Sequence, residues 1–407
     1  MKLIKPIFIT AGVLLLGLQG LQAQAPCDTI TGTICKSIIA DTVFNPYVTG
    51  VLGNWRANKS YTYYARRTEQ DPTTATTNIR RDGTFKDFTA FWAFQSNKLG
   101  SQIDTGRWVW NSELTLFNRK GFEVENRDPL GRYNAGLYGY NLTMPVAVVQ
   151  NSRYRESAYE GFEDYVFTTQ LCDTACAAKR HIDYSDWLSS IDTTQSHTGL
   201  RSLRVAGGEA VVLSFELQGT AQDDQMPKLN FVTKAIDCAS GVLDNISTGK
   251  DILLPVFKPV PGKRMLISAW VKETGDATLR ANYTENRIRV VFGNTAFTFH
   301  VSGNIIEGWQ RYEGVFTIPD TATRIDISLE ATGANTAYFD DLRVHPFNAN
   351  MKSFAFHPVN LRLMAELDEN NYATLYEYDD DGTLIRLKKE TQRGVKTIKE
   401  TRSALVK

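Results

Sequence analysis

The 407-residue chain is poor in the motifs that mark the common catalytic and membrane classes. It has five histidines, His181, His197, His300, His345 and His357, and no two of them form an HExxH pair. There is no G-x-S-x-G elbow, no phosphate-cradling glycine loop and no dinucleotide fingerprint, so zinc peptidase, α/β-hydrolase and nucleotide-enzyme readings have no motif to stand on. Net charge is missing too: 45 Lys and Arg balance 45 Asp and Glu. So even a balance argues against nucleic acid or an anionic membrane surface as the general partner. Outside the first 23 residues no apolar run has the length of a membrane span, and no membrane insertion is expected. The acids always allow a carboxylate pair for glycan hydrolysis, but no pair is singled out, and no enzyme activity is expected.

The N-terminus carries Lys2 and Lys5, then an apolar stretch over 7–18, then small residues at Ala23 and Ala25. This is the order of a secretory signal peptide, with 1–23 removed and the rest exported to the periplasm, cell surface or medium. Cleavage after Ala25 would leave Pro26 at the scissile bond, so the cut is placed after Ala23. Export favours disulfides. Cys172 and Cys176 are the first candidate pair, Cys27 and Cys35 the second, and Cys238 is left over. Zinc at Cys172, Cys176 and His181 lacks a nearby fourth ligand.

Short apolar runs broken by Gly, Asn and Asp recur throughout, without extended helical periodicity, and read as an all-β chain. Over 24–156 the phrases SYTYYARR, FTAFWAF and RWVWNSELTLFNRKGFEVENRD alternate with turn residues. Arg119-Lys120-Gly121 and Asp128-Pro129-Leu130-Gly131 are turns, giving a β-meander. Over 347–407 the phrase YATLYEYDDDGTLIRLKKET has the same strand–turn–strand character. Its basic tail reads as a solvated hairpin edge, where lysines discourage strand addition. Segment 217–262 is polar and punctuated by Gly and Pro, an insertion between strands.

Between these flanks, over 157–346, stand GFED, SHTGLRSLRV, LISAWVKE, EGWQRYEGVFTIP and AYFDDLRV, in that order. The set resembles the jelly-roll carbohydrate-binding modules of bacterial glycanases. The phrases LFNRKGFEVENRDPLGRYNAGLYGYN and YEYDDDGTLIRL resemble the YD repeats of bacterial RHS proteins. Together they imply a jelly-roll β-sandwich flanked by an N-terminal meander and C-terminal YD-like hairpins, as in exported bacterial surface proteins. The implied function is non-catalytic glycan binding; a scaffold that binds a surface protein is the alternative, and a glycoside hydrolase the third.

In the jelly-roll family the Glu of GFE and an Asp of FDD meet beside the turn before the second strand, around structural calcium. The matching residues are Glu163 and Asp340, with carbonyls near Thr198 and Gly199 completing the set. Period-two alternation puts Asp340 on one side with Tyr338, Leu342 and Val344. An inward carboxylate needs a countercharge, supplied by the cation, by backbone amides, or by Arg201 or Arg343. For a sugar, Trp270, Tyr283, Arg287 and Arg289 are the candidates, the arginines sharing an outward face in NRIRVVFG; a Trp in SAWVKE can equally be core or sheet-face. Trp309 reads as core.

Overall fold

The computed structural model describes residues 56–64, 89–101, 106–118, 120–167, 180–217, 230–238, 241–247, 257–275 and 282–401. The expected signal peptide and Cys27, Cys35, Cys172 and Cys176 lie outside them. The first strands are β1 (Lys59–Tyr63), β2 (Trp92–Gln95), β3 (Lys98–Ser101), β4 (Trp108–Phe117), β5 (Glu123–Arg127), β6 (Tyr133–Gly139) and β7 (Met144–Gln150). Next come β8 (Ala158–Glu160), β9 (Ile191–Asp192), β10 (Ser202–Val205), β11 (Ala210–Glu216), β12 (Asn230–Cys238) and β13 (Gly241–Ser247). Then follow β14 (Arg264–Glu273), β15 (Asn286–Phe292), β16 (Thr295–Phe299), β17 (Gln310–Thr317), β18 (Arg324–Ala331) and β19 (Ala337–Pro346). The last are β20 (Asn350–Phe356), β21 (Leu363–Leu367), β22 (Ala373–Tyr378), β23 (Leu384–Thr391) and β24 (Gly394–Glu400).

The chain divides into two compact units, Met1–Trp55 with Gln225–Leu254, and Arg56–Asp224 with Pro255–Lys407. The described part of the first is the antiparallel β12–β13 hairpin, and Cys238 ends its first strand. Segment 217–262, read as a polar insertion, therefore holds two strands. Their apolar residues do not alternate strictly, which is why periodicity missed them.

In the second unit the chain is all-β, built on a sandwich. One sheet has the order β17-β14-β19-β10-β9, with β8 also paired to β19; the other is β11-β18-β15-β16. Alternate residues turn inward. Ile267, Ala269, Val271, Phe339 and Val344 from the first sheet meet Val211, Ile288, Val290, Ile327 and Leu329 from the second in a single core.

The strands before and after the sandwich form one antiparallel sheet, β1-β4-β5-β6-β7-β20-β21-β22-β23-β24. Its two halves join where Met351 pairs with Val149 and Ser353 with Ala147. The sandwich is thus inserted between two neighbouring strands of a long meander.

Four turns of this sheet share one design, at 118–122, 128–132, 368–372 and 379–383. In each, the N–H of the first residue (Asn118, Asp128, Asp368 or Asp379) donates to the carbonyl of the fifth, and the fourth N–H donates back to the first carbonyl. The side-chain oxygen of the first residue accepts from the fifth N–H. The fourth position is Gly121, Gly131, Asn371 or Gly382, all at positive φ. That is the region glycine enters without penalty and asparagine tolerates. Asp128-Pro129-Leu130-Gly131, expected as a turn, is one of the four.

Candidate functional site

The site grows from a break in one strand. Ser268 pairs with Arg343 and Trp270 with Asp340, so Asp341 and Leu342 together stand opposite Ala269. Asp341 has φ +49°. This β-bulge adds one residue and shifts the side-chain alternation. Ala337 and Phe339 before it, and Leu342 and Val344 after it, all face the sandwich core. Asp340, paired with Trp270, and Arg343, paired with Ser268, point out of the sandwich. The expectation that Leu342 and Val344 share the side of Asp340 is corrected accordingly: simple alternation cannot see a bulge.

The outward side of this sheet is buried all the same, because the ten-stranded sheet lies over it. Trp270 is 0% exposed and its indole N–H donates to the Asn371 carbonyl at 2.7 Å. Arg343 donates to the Asp368 carbonyl (2.6 Å) and to Ser353 Oγ (2.6 Å). Asn371 Nδ2 donates to the Asp341 carbonyl at 3.1 Å. Trp270 and Tyr283, expected to offer ring faces to a sugar, are thus covered; Tyr283 is 4% exposed, sits in the sandwich core and donates its hydroxyl to the Gly308 carbonyl. Trp309 is buried beside Trp270.

Glu163 and Asp340 converge on one turn. Glu163 Oε1 accepts from the N–H groups of Leu200 (2.7 Å) and Arg201 (2.8 Å). Asp340 Oδ2 accepts from His197 N (2.8 Å) and Thr198 N (3.3 Å). Gly199 lies against the Glu163 carboxylate, where a Cβ would collide with Oε1, and its φ is +62°. Burial pushes the Glu163 pKa up to about 8, against those two amides, and raises Asp340 well above the usual carboxylate range, helped by Asp341. Glu163 Oε2 is buried with no hydrogen-bond partner. Beside it, Glu160 is pushed up to about 7 by burial, opposed by Arg180.

His197 is the hub. Its Nδ1 contacts Asp341 Oδ2 at 2.7 Å and its Nε2 contacts Glu390 Oε1 at 3.0 Å. Its ring stacks on Trp270, with centroids 4.2 Å apart and planes 16° from parallel. Burial alone would lower its pKa, but Glu390 and Asp341 push it up to about 10. An imidazolium between two carboxylates therefore joins β19 to β23. His197 lay in view in SHTG, but only the fold brings Asp341 and Glu390 to it.

A calcium ion takes six to eight oxygen ligands, many of them carboxylate. Among the described residues no group of three or more His, Cys, Asp and Glu side chains is arranged to hold a metal. Glu163 Oε2 is a buried carboxyl oxygen without a hydrogen-bond partner, with the charges of Arg201 and Asp341 both acting on it.

Among the described residues the outward face of the four-stranded sheet is partly open: Val212 is exposed, whereas Ser328 and Glu330 are buried. Arg287 pairs across strands with Glu330, and Arg289 with Ser328. Arg287 Nε donates to Glu330 Oε2, Ser328 Oγ donates to Glu330 Oε1 at 2.8 Å, and Arg324 pairs with Asp326 at 2.7 Å. The side chains of Arg287 and Arg289 are 39% and 36% exposed.

No described family and no curated protein matches the sequence. Solved structures do. A family 16 carbohydrate-binding module is 13% identical over 39% of this chain and 87% of its own, with a TM-score of 0.22. A CBM61 solved in complex with beta-1,4-galactotriose is 12% identical over 39% of this chain and 83% of its own (TM-score 0.21). A CBM22-1 xylan-binding domain from Paenibacillus barcinonensis is 12% identical over 38% and 78% (TM-score 0.21). These neighbours are carbohydrate-binding modules. Likeness at this level says nothing about ligand.

Proposed function

We propose that this is an exported, non-catalytic binding protein whose sandwich takes a glycan on the outward face of its four-stranded sheet. One observation carries the reading: the ten-stranded sheet covers the other sheet around Trp270 and Arg343, while this face stays partly open. The face presents Arg287 and Arg289, braced by the buried Ser328 and Glu330 in the facing strand, so recognition runs through hydrogen bonds from the guanidinium groups to hydroxyls. Tyr283 packs in the sandwich core behind it, and Trp270 packs on the covered side of the opposite sheet. The test is a glycan-array screen of the full chain, followed by titration of any hit against Arg287→Ala/Arg289→Ala. Loss of about tenfold or more in affinity supports the face; unchanged affinity removes it.

The reading includes a structural calcium held by Glu163, Asp340 and carbonyls of the 197–201 turn. The uncommitted Glu163 Oε2 supports it. Calcium should raise the melting temperature of the native chain and leave Glu163→Gln unmoved. A native chain indifferent to both calcium and chelator would leave the carboxylates protonated instead.

The four alike turns favour a second reading, in which the ten-stranded sheet is an RHS-like scaffold and the partner is a surface protein. A folded chain blank on the array would move the assignment there, and release of reducing sugar ends would move it to a hydrolase.

A further inference from the structure

A second concave site lies on the covered side of the sandwich, away from the four-stranded face. It is a cavity of about 260 Å³ with three walls. The 194–197 segment supplies Thr194 and Gln195, the 306–309 turn supplies Glu307 and Trp309, and β22, β23 and β24 supply Leu375, Glu390 and Val395. The last wall belongs to the ten-stranded sheet, so the sandwich alone does not complete the cavity. Lys272 reaches in from β14 and donates to Gln195 Oε1 at 2.6 Å.

The walls are fixed. Ile306 and Trp309 exchange both backbone hydrogen bonds, N to O at 2.7 and 2.8 Å, around Glu307 (φ +46°) and Gly308 (φ +87°). Two consecutive positive φ values are those of a tight type I′ turn. A Cβ at 308 would stand 3.2 Å from Lys272 Cε, so glycine there leaves the lysine its place. The neighbouring loop is tied across to the other wall by Asn304 Nδ2, which donates to the Gln392 carbonyl at 3.0 Å.

We infer that this cavity is a binding site for one uncharged, hexose-sized polyhydroxylated ring, the end unit of a glycan or a free sugar. The volume is at the small end for ligand pockets, enough for a ring and short of a chain. The lining mixes donors and acceptors: an ammonium, an imidazolium, an amide, two hydroxyls and two carboxylates. Sugar hydroxyls can serve both kinds at once. The charges balance, Lys272 and His197 against Glu307 and Glu390, so a ligand carrying net charge of either sign is disfavoured. Only the class of ligand rests on the glycan reading; the residues are separate from Arg287 and Arg289.

The experiment is isothermal titration of the full chain with glucose, galactose, mannose, xylose, N-acetylglucosamine, glucuronate and glucosamine. It is repeated on Lys272→Met, on Glu307→Gln, which sits on an exposed turn and should fold normally, and on Arg287→Ala/Arg289→Ala. The expected result is saturable binding of at least one neutral sugar. That binding should weaken about tenfold or more in Lys272→Met or Glu307→Gln and persist in the arginine variant. Oligosaccharide binding that only the arginine variant loses, with no response to free sugars, would keep the open-face reading and overturn this one. Preference for glucuronate or glucosamine over every neutral sugar would overturn it too. So would neutral-sugar binding that both cavity variants retain.

Discussion

His197 is where the chemistry of single residues bears most weight. It is a buried cation between Asp341 and Glu390, laid on the Trp270 ring. Removing one member of such a group leaves uncompensated charge, which costs more than the pair itself contributes. His197→Phe keeps a stacked ring but strips both carboxylates of their partner, and should destabilise the protein by about 3–5 kcal/mol in urea unfolding. His197→Phe with Glu390→Leu should recover part of that loss, whereas additive costs would contradict the network. His345 gives a pH signature. Burial, with Arg343 nearby, brings its pKa down to about 4, and its ring contacts the Pro346 carbonyl. A base with a depressed folded pKa contributes stability that is fully present above about pH 6.5 and lost as pH falls through 4. Glu163 works in the opposite sense in the metal-free protein: its pKa is raised, so its contribution fades as pH rises from about 4.5 through 8. The difference between His345→Gln and native stability isolates the first effect. It should narrow from pH 6.5 to 4, and a constant difference would contradict the assignment.

Turns and the bulge are the elements that decide what the sequence can reveal. Asp128-Pro129-Leu130-Gly131 and the glycines at 121 and 382 announce their turns, because each supplies a cap or a positive φ by residue type. The 368–372 turn, built the same way around Asn371, carries no glycine to announce it. The bulge at Asp341 leaves no compositional trace, so simple alternation misassigns FDD between core and covered side. Glu163, Asp340 and the 197–201 turn were legible as neighbours from their phrases. Burial of Trp270 was not legible, since it depends on a sheet whose strands lie about a hundred residues away in sequence. Gly121→Ala and Gly382→Ala make a matched pair of predictions. Both force a Cβ into positive φ, at about 1–2 kcal/mol. At 121 nothing lies within 4 Å, and at 382 the Cβ would meet only the guanidinium end of the Arg362 side chain, which can swing away, so the two should cost about the same. Thermal melts separating them widely would contradict the shared turn geometry.

Considered whole, the second unit is a meander interrupted by a sandwich, and each part completes the other. The meander's halves join where β7 pairs with β20, and the sandwich relies on the meander to cover Trp270 and Arg343. A fragment spanning 157–346 would expose that covered side, with a Trp and an Arg stripped of their carbonyl partners. It should bind a hydrophobic dye and melt without a sharp transition; a cooperative melt matching the intact chain would show that the cover is dispensable. The same covering leaves the sandwich one partly open sheet face, and the account turns on that face. The most direct measurement is therefore glycan-array binding of the full chain beside Arg287→Ala/Arg289→Ala. The account predicts specific glycan binding that the double variant loses while its melting temperature stays close to native. Glycan binding that survives the double substitution and also survives it combined with Lys272→Met, or a folded native chain that binds no glycan, would contradict it.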